Sequence, residues 1–338
     1  MNNSVEADPE VAQVSENSLH AITTPDIVPV SAILPTRNRP EVLRRMLLSL
    51  ARQSLQPAEM IVVDSSTDKQ TEQLCSNAIS GLNTKIVYKK AIEMGAATQR
   101  NQAMTYVTQK TIWLLEDDVI LEEDCLANLW AALESNPKLG GVSAMIINQR
   151  YASPGRVSRT LFRLLHGQKA ESYAGKCIGP AFNILPEDNS KLPRVVEVEW
   201  LNAGCTLYRS DAVPRPLFDR HFTGYSLMED LALSLKVAEK WKLANARTAR
   251  IYHDSQPADY KSNAAALAKM ELINRHYVMT QVMRRNEIKY YLKLALLEMF
   301  GIVTPLVSGR AWKSLPSVLL GKLAAIRVIM TTKYPSQA

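Results

Sequence analysis

Three consecutive acids, Glu116, Asp117 and Asp118, lie between two apolar runs and constrain the fold more than any other stretch of this chain. The run Ile112–Leu115 before them is typical of a buried strand, so the acids fall where the strand ends and the chain turns. Three carboxylates packed together at that point repel one another. The triplet therefore indicates either a solvated acidic turn or a site for a hard divalent cation, Mg²⁺ or Mn²⁺.

Apolar strands and amphipathic helices alternate on the N-terminal side of the acids. Val28–Thr36 predicts a strand, and Pro40 opens a helix whose apolar residues recur at helical spacing. The same alternation predicts further strands at Met60–Val63, Lys85–Tyr88 and Ile112–Leu115, and further helices at Lys69–Ile79 and Met94–Val107. Because helices that join parallel strands form right-handed crossovers, we expect an α/β fold with a mostly parallel sheet.

Polar residues follow three of these strands: Thr36 and Arg37 the first, Asp64 the second, and the acidic triplet the fourth. Ligands of such sheets bind beyond the carboxyl ends of the strands, so we expect these side chains to border one crevice. The sequence contains neither GxGxxG nor a P-loop pattern. This argues against a dinucleotide dehydrogenase and against a P-loop enzyme.

Charge limits the choice of partners. The net charge of +7 and the pI of about 9.1 favour anions such as nucleotide phosphates or anionic lipids. Residues 1–28 hold five acids and no Lys or Arg, which predicts a flexible acidic tail and leaves about +12 on the rest of the chain. No zinc-finger spacing, RNP-like motif or dense basic stripe is present, so we expect no nucleic-acid partner.

Cysteine usage and hydropathy indicate the compartment. The four cysteines form no CxxC pair, and no run reaches the roughly 18 apolar residues of a membrane-spanning helix. We therefore expect reduced thiols in a cytoplasmic protein, with any membrane contact made from the side, at the inner face.

Short motifs spread over residues 28–285 carry a family resemblance. They are Pro35-Thr36-Arg37-Asn38-Arg39, Val62-Val63-Asp64-Ser65-Ser66-Thr67-Asp68, Gln99-Arg100-Asn101, the acidic triplet, Trp200-Leu201-Asn202-Ala203-Gly204, Leu217-Phe218-Asp219-Arg220-His221-Phe222 and Met228-Glu229-Asp230-Leu231. In this order and at these spacings they resemble the family 2 glycosyltransferases of GT-A fold. The fold that this resemblance implies is a Rossmann-like, mostly parallel sheet flanked by helices, here with a C-terminal helical extension.

The resemblance implies a donor site for a nucleoside-diphosphate sugar. The positions similar to the family's donor-binding residues are Pro35, Thr36, Arg37, Asp64, Arg100, Glu116 and Asp117. Among them Asp64 resembles the aspartate that binds the base. Glu116 stands where the family usually has aspartate, so the charge is kept on a longer arm and a metal role for Glu116 itself stays open.

The resemblance also implies the metal ligands and the catalytic pair. Asp118 is similar to the metal-binding acid of the family's DxD motif, and His253 to its C-terminal histidine. A histidine ligand fits Mn²⁺ better than Mg²⁺. Glu229-Asp230 resembles the family's Glu-Asp pair, in which the aspartate is the general base. The implied reaction is inverting transfer of the sugar to a hydroxyl of a glycan or lipid-linked acceptor, in cell-surface polysaccharide or glycolipid synthesis.

The domain organisation follows from these motifs. Residues 29–285 are predicted to form the catalytic domain, with a nucleotide-binding half at 29–148, a variable loop region at 149–193 and an acceptor half at 194–285. Residues 286–338 are predicted to form a basic, amphipathic helical extension. Three interpretations of residues 286–330 stay open: they lie on an anionic membrane, they pack on the catalytic domain, or they form a dimer interface.

Two other functions remain as alternatives. A sugar-nucleotide nucleotidyltransferase would share the α/β sheet and the metal-binding carboxylates, but it is expected to carry a glycine-rich phosphate loop, which Leu34-Pro35-Thr36-Arg37 lacks. An inactive member would bind nucleotide without turnover. The joint presence of Asp118, Asp230 and His253 argues against this second alternative.

Overall fold

The computed structural model of the chain describes residues 25–149, 151–256, 263–307 and 312–332. Most of the predicted acidic tail, residues 1–24, lies outside the described residues. The predicted end of this tail at residue 28 is wrong, because the first strand begins at Asp26, whose backbone pairs with Leu55 on the neighbouring strand.

Strands and helices alternate through the first half, as expected. The strands are β1 Asp26–Thr36, β2 Leu55–Asp64, β3 Lys85–Lys90, β4 Thr111–Leu115, β5 Val119–Leu121, β6 Leu139–Ile146, β7 Cys177–Ile178, β8 Phe182–Asn183, β9 Val195–Val198, β10 Cys205–Arg209 and β11 Lys242–His253. The helices are α1 Pro40–Leu50, α2 Gln70–Ser76, α3 Ala96–Ala103, α4 Cys125–Glu134, α5 Arg156–His166, α6 Glu229–Ala238, α7 Ala264–Tyr277, α8 Ile288–Val307 and α9 Leu315–Thr331.

The main sheet has the order β3-β2-β1-β4-β10-β6-β11-β5, and β9 pairs with β11. The strands β3, β2, β1 and β4 are parallel to one another, which confirms the prediction for that half. The strand β10 runs antiparallel between β4 and β6, and β11 runs antiparallel to β5 and β9. The sheet is therefore mixed, with its parallel half on the side of β1.

Apolar side chains cover both faces of the sheet. On one face α1 and α4 bury residues at helical spacing, including Leu43, Leu47 and Leu129, in one apolar cluster with residues of β1, β4 and β6. On the other face α3 and α6 pack with Trp200, Phe218 and their neighbours. Because both faces are covered, polar side chains of this sheet reach solvent only at the strand ends and edges.

Two predicted helices are shorter than the sequence pattern suggested. The second was expected over Lys69–Ile79 and spans Gln70–Ser76; the third was expected over Met94–Val107 and spans Ala96–Ala103. At the start of the third helix, Gly95 has φ +143°, a conformation that lies outside the helical range.

The segment 149–193, expected to be irregular, contains α5 and the short antiparallel pair β7–β8. Helix α5 buries Leu161 and Leu165 in a small cluster that also includes Leu297 of α8. The helices α7, α8 and α9 are the last elements of the described chain, with a π-helical turn at Val278–Val282 after α7. Among the described helices, none combines the length and the apolar character that crossing a bilayer requires.

Candidate functional site

The strand ends β1, β2 and β4 meet at one edge of the sheet. Thr36 and Asp64 are direct neighbours in the β1–β2 register, and the acidic triplet follows β4 on the other side of β1. The hydroxyl of Thr36 donates to Oδ2 of Asp117 over 2.7 Å. The predicted convergence of Thr36 and the acidic triplet is therefore present.

The three acids of the triplet point in different directions. Asp117 is buried, and besides Thr36 it pairs with Arg39, whose Nη2 lies 2.8 Å from Oδ1. Burial raises the pKa of Asp117 to about 7, although the nearby Arg39 charge acts in the opposite direction. Through Thr36 and Arg39, Asp117 connects the acidic turn to the end of β1 and the loop after it. Glu116 and Asp118 face the site.

Glu116, Asp118 and His253 form a cluster of candidate metal ligands. Because β5 pairs antiparallel with β11, His253 lies opposite Val119, directly after the triplet. Its Nε2 is 3.3 Å from Oδ1 of Asp118 and 3.6 Å from Oε2 of Glu116. All three ligand atoms lie within 4.8 Å of one another. Two carboxylate oxygens and one imidazole nitrogen suit Mn²⁺, so these residues fit a divalent cation, and Glu116 takes part in the set.

Gln149 contacts the far side of His253. Its amide nitrogen is 2.8 Å from Nδ1 of the ring, and Asn148 brackets the His253 backbone through two hydrogen bonds of 2.9 and 3.0 Å. Nε2 of Gln149 donates to the lone pair of Nδ1, so a neutral His253 ring carries its proton on Nε2, towards the two carboxylates. Turning the Gln149 amide over would let its oxygen accept from Nδ1–H and would leave the Nε2 lone pair to a cation. No pattern in the sequence pointed to Gln149, which lies in the segment expected to be irregular.

Two arginines, Arg37 and Arg39, lie in the turn after β1, and their surroundings differ. Arg37, predicted to line the donor pocket, is exposed and makes no ion pair with the described residues. Arg39 contacts both Asp117 and Asp118, its Nη1 lying 3.4 Å from Oδ2 of Asp118. Sequence reasoning placed Arg39 within the motif but assigned it no role. Arg39 lies only two residues after Arg37, and this closeness in the sequence was the one indication that Arg39 could lie near the site.

Arg100 joins the candidate metal cluster to the predicted catalytic pair. It is almost fully buried on α3, with Nη2 at 3.2 Å from Glu116 and Nη1 at 3.4 Å from Glu229. Its guanidinium also lies 5.9 Å from the ring centre of Phe218. A buried guanidinium between two carboxylates offsets their charges and fixes their separation.

Glu229 and Asp230 open helix α6. The turn before them is bent, since Ser226 and Met228 have positive φ values of 59° and 73°. Burial raises the pKa of Glu229, and the charge of Asp230 adds to this effect. Burial likewise raises the pKa of Asp230 to about 6, against the hydrogen bond of 2.7 Å that it accepts from Leu231 N–H. A carboxylate with that pKa can take up a proton near neutral pH.

Asp64, predicted to bind the base of the donor, is fully buried. Its Oδ1 accepts hydrogen bonds from the backbone and hydroxyl of Ser66, and its Oδ2 accepts from the hydroxyl of Tyr88 at 3.0 Å. Lys90 closes the same turn by donating to the carbonyl of Ser66. Asp64 thus shapes the loop after β2, and base binding by this residue stays a prediction. Pro35, also predicted in the donor pocket, is half-buried beside it at the end of β1.

Gly95 lies where α3 approaches the turn before Glu229. A Cβ there would meet Thr98 Oγ1 at 2.9 Å and the backbone nitrogen of Gly224 at 3.2 Å, and φ is +143°. We expect Gly95→Ala to lower the free energy of unfolding by roughly 1–3 kcal/mol, measured by urea denaturation. Gly155→Ala is the matched control, because its Cβ would meet nothing within 4 Å. Equal stability of the two variants would contradict the expected strain.

Known proteins share both sequence and fold with this chain. Residues 31–180 match the family model "Glycosyl transferase family 2". The poly(ribitol-phosphate) beta-N-acetylglucosaminyltransferase TarS of Staphylococcus aureus is 23% identical over 275 residues, 64% of this chain and 48% of TarS. A PGL/p-HBAD biosynthesis glycosyltransferase of Mycobacterium bovis is 28% identical over 140 residues, 39% of this chain and 54% of that protein. The chain thus spans about half the length of these relatives.

Two solved structures share the fold. The mannosyltransferase PcManGT of Pyrobaculum calidifontis, in complex with GDP-Man and Mn²⁺, superposes with a TM-score of 0.52 at 18% identity, over 92% of this chain and 79% of that one. A TarS fragment in complex with UDP-GlcNAc gives a TM-score of 0.52 at 16% identity, over 89% of this chain and 81% of that one. Residues 31–180 are therefore similar to a family 2 glycosyltransferase domain, and the chain has the GT-A fold.

Proposed function

We propose that this enzyme moves a sugar from a nucleoside diphosphate to a hydroxyl acceptor with inversion, and that it requires a divalent metal. The observation that carries the proposal is the bridge made by Arg100. It links Glu116 of the candidate metal cluster to Glu229, the neighbour of Asp230, within one buried ion-pair chain. The cluster of Glu116, Asp118 and His253 and the carboxylate of Asp230, whose pKa is raised, are thereby held at a fixed distance from each other.

Each group has a distinct part in the proposed reaction. A divalent cation held by Glu116, Asp118 and His253 would offset the charge of the departing diphosphate. Asp230 takes the proton of the attacking hydroxyl, which typically contributes about 10²–10⁴-fold to the rate. Glu229 stays paired with Arg100 and holds the start of α6 in place. Direct attack by the activated hydroxyl predicts inversion at the sugar.

The donor and the acceptor are proposed from the relatives and the fold. The solved structures named above contain GDP-Man and UDP-GlcNAc, which supports a nucleoside-diphosphate sugar as donor. The name of TarS specifies poly(ribitol-phosphate), and the mycobacterial relative is named for PGL and p-HBAD synthesis. We infer that the acceptor is a surface polysaccharide or a lipid-linked glycan and that the enzyme acts on the cytoplasmic side. Pro35, Thr36, Arg37 and Asp64 would line the nucleotide pocket.

Nucleotide binding tests the proposal directly. We expect one of UDP, GDP or dTDP to raise the melting temperature in the presence of Mn²⁺ and to do so much less without it, because ligands that bind the native state stabilise it. His253→Ala should weaken the Mn²⁺-dependent part of the shift. His166→Ala, a half-buried histidine outside the site, should leave it unchanged.

Two outcomes would overturn this assignment. Stabilisation by a nucleoside triphosphate, with release of pyrophosphate from that triphosphate when a sugar 1-phosphate is added, would favour the nucleotidyltransferase. A response to nucleotide that Mn²⁺ and His253→Ala leave unaltered would remove the metal role of the cluster.

A further inference from the structure

The C-terminal helices α8 and α9 each have one face that packs and one that does not. On α8 the buried side chains Leu294 and Leu297 join clusters of α5, α7 and their neighbours. On α9 the buried residues are Gly321 and Ala325, and Gly321 lies directly against the backbone of Ala265 on α7. Each helix therefore has a face that packs on the rest of the protein.

The opposite faces of both helices are apolar and exposed. Residues of α8 at helical spacing line one stripe, and residues of α9 line a second. They are Ile288, Leu292, Ala295, Met299 and Val303 on α8, and Leu319, Leu320, Leu323, Ile326 and Met330 on α9. Two stripes of this kind on neighbouring helices exceed the scattered apolar residues that a soluble surface normally shows. We call these ten residues the C-terminal apolar face.

The sequence that contains this face is strongly basic. Residues 284–333 hold nine Lys and Arg against two Glu, a net +7, which equals the net charge of the whole chain. Both acids are already paired within the protein, Glu287 with Lys289, and Glu298 with Arg275 and Lys322. The remaining basic residues therefore give the extension a strong preference for an anionic partner.

A cluster of three cations marks the start of α8. The charged groups of Arg285, Lys289 and Lys293 lie 5.2, 5.0 and 5.8 Å from the ring centre of Tyr290. Arg285 is held by a hydrogen bond of 2.6 Å to the carbonyl of Gly179, and Lys293 by one of 2.7 Å to that of Leu165. Burial and the charges of Arg285 and Lys289 lower the pKa of Lys293. Arg285 and Lys293 are thus held in place, while the exposed Lys289 pairs with Glu287. The three cations and one acid leave a local excess of positive charge, which favours a phosphate group.

We propose that α8 and α9 lie in the surface of an anionic phospholipid bilayer, with the C-terminal apolar face in the acyl boundary and the Arg285, Lys289 and Lys293 cluster at the phosphates. The apolar stripes supply the partitioning, and the basic residues supply attraction to the charged leaflet. A second copy of the chain would bring the same excess of positive charge to the contact, because residues 284–333 carry a net +7, and this favours the anionic bilayer as the partner. Binding to the bilayer would bring the enzyme close to a lipid-linked acceptor, and only this consequence rests on the proposed function.

Vesicle flotation of the full chain tests the proposal. The protein should float with vesicles of phosphatidylglycerol and phosphatidylethanolamine, and about tenfold less with phosphatidylcholine alone. Leu292→Asp combined with Met299→Asp should reduce flotation about tenfold or more, since these side chains are 65% and 56% exposed and lie outside the buried clusters that α8 joins. Ile92→Asp, at an 88% exposed apolar residue outside the extension, is the matched control and should float like the parent.

The phosphate cluster is tested separately. Lys289→Gln combined with Lys293→Gln should bind anionic vesicles about ten- to thirtyfold more weakly. Lys138→Gln combined with Lys191→Gln removes the same charge from exposed sites elsewhere and should have little effect. Inorganic phosphate at millimolar concentration should not release the protein from vesicles; release would show that the cluster binds free phosphate rather than lipid.

Two results would overturn the proposal. One is equal flotation of the Leu292→Asp/Met299→Asp variant and the parent. The other is a parent dimer in light scattering that this variant dissociates, with no flotation of either, which would assign the face to a second copy of the chain. Calorimetry of nucleotide binding on the same samples separates these results from a failure of the proposed function. Nucleotide binding without flotation refutes the membrane contact alone.

Discussion

Replacing Asp230 with asparagine should lower the rate of sugar transfer by about 10²- to 10⁴-fold, because the acceptor hydroxyl loses the group that takes its proton. Asparagine has nearly the same shape and can keep the contact with Leu231, so binding of the nucleotide donor should remain. The measurement is transfer rate alongside donor affinity by calorimetry. Normal transfer by a folded Asp230→Asn variant would remove the base assignment.

The pH dependence gives an independent check on the same residue. The pKa of Asp230 is raised to about 6, and only the ionised form accepts a proton. Transfer should therefore rise with pH through about 6 and then level off, falling about tenfold per pH unit on the acid side. The Asp230→Asn variant should lack this limb. A parent profile that is flat between pH 5 and 8 would contradict the assignment.

The contribution of Asp230 to the free energy of unfolding should fall as pH rises, whereas the transfer rate should increase. A carboxyl whose folded pKa lies above its ordinary value of 3.8 binds its proton more tightly in the folded state. The protonated carboxyl therefore contributes to the stability of the folded state at low pH, and this contribution is lost as pH rises from about 4 to about 6. Relative to the Asp230→Asn variant, the parent should thus become less stable across that window, as thermal unfolding at several pH values would show.

Replacing Arg100 with methionine should have the largest effect on stability, a loss of about 3–5 kcal/mol in the free energy of unfolding. The reason is that Glu116 and Glu229 would lose the buried cation that faces both of them. Urea denaturation measures the change. Adding Glu229→Gln should restore part of the loss, since it removes one of the two uncompensated charges.

Lys242→Met is the matched control for this experiment. It also removes a cation from an ion pair, with Glu197, but both side chains are more than half exposed. Exposed pairs contribute about 0–1 kcal/mol, so little change is expected. If Arg100→Met and Lys242→Met lowered the free energy of unfolding equally, the ion pairs of Arg100 would not stabilise the fold more than an exposed pair does.

Local patterns in the sequence sufficed for the parallel half of the fold and for the kinds of residue at the site. Alternating apolar strands and amphipathic helices predicted β1 to β4, because burial on both faces requires apolar runs of this length. The acidic triplet and Glu229-Asp230 were recognisable as chemical groups since each is contiguous in the chain. Asp118 and His253 were paired through the family resemblance, and the structure brings them within 3.3 Å.

Tertiary structure alone decided which neighbours those groups have. Pairing of β5 with β11 sets His253 beside Asp118, and Gln149 reaches His253 from a segment with no periodic signal. Asp117 turns inward to Thr36, and Arg39 rather than Arg37 contacts the acids. Such contacts join residues far apart in sequence, and their geometry depends on strand direction, register and burial. Propensity and spacing describe single segments, so they determine which groups exist but not which of them meet.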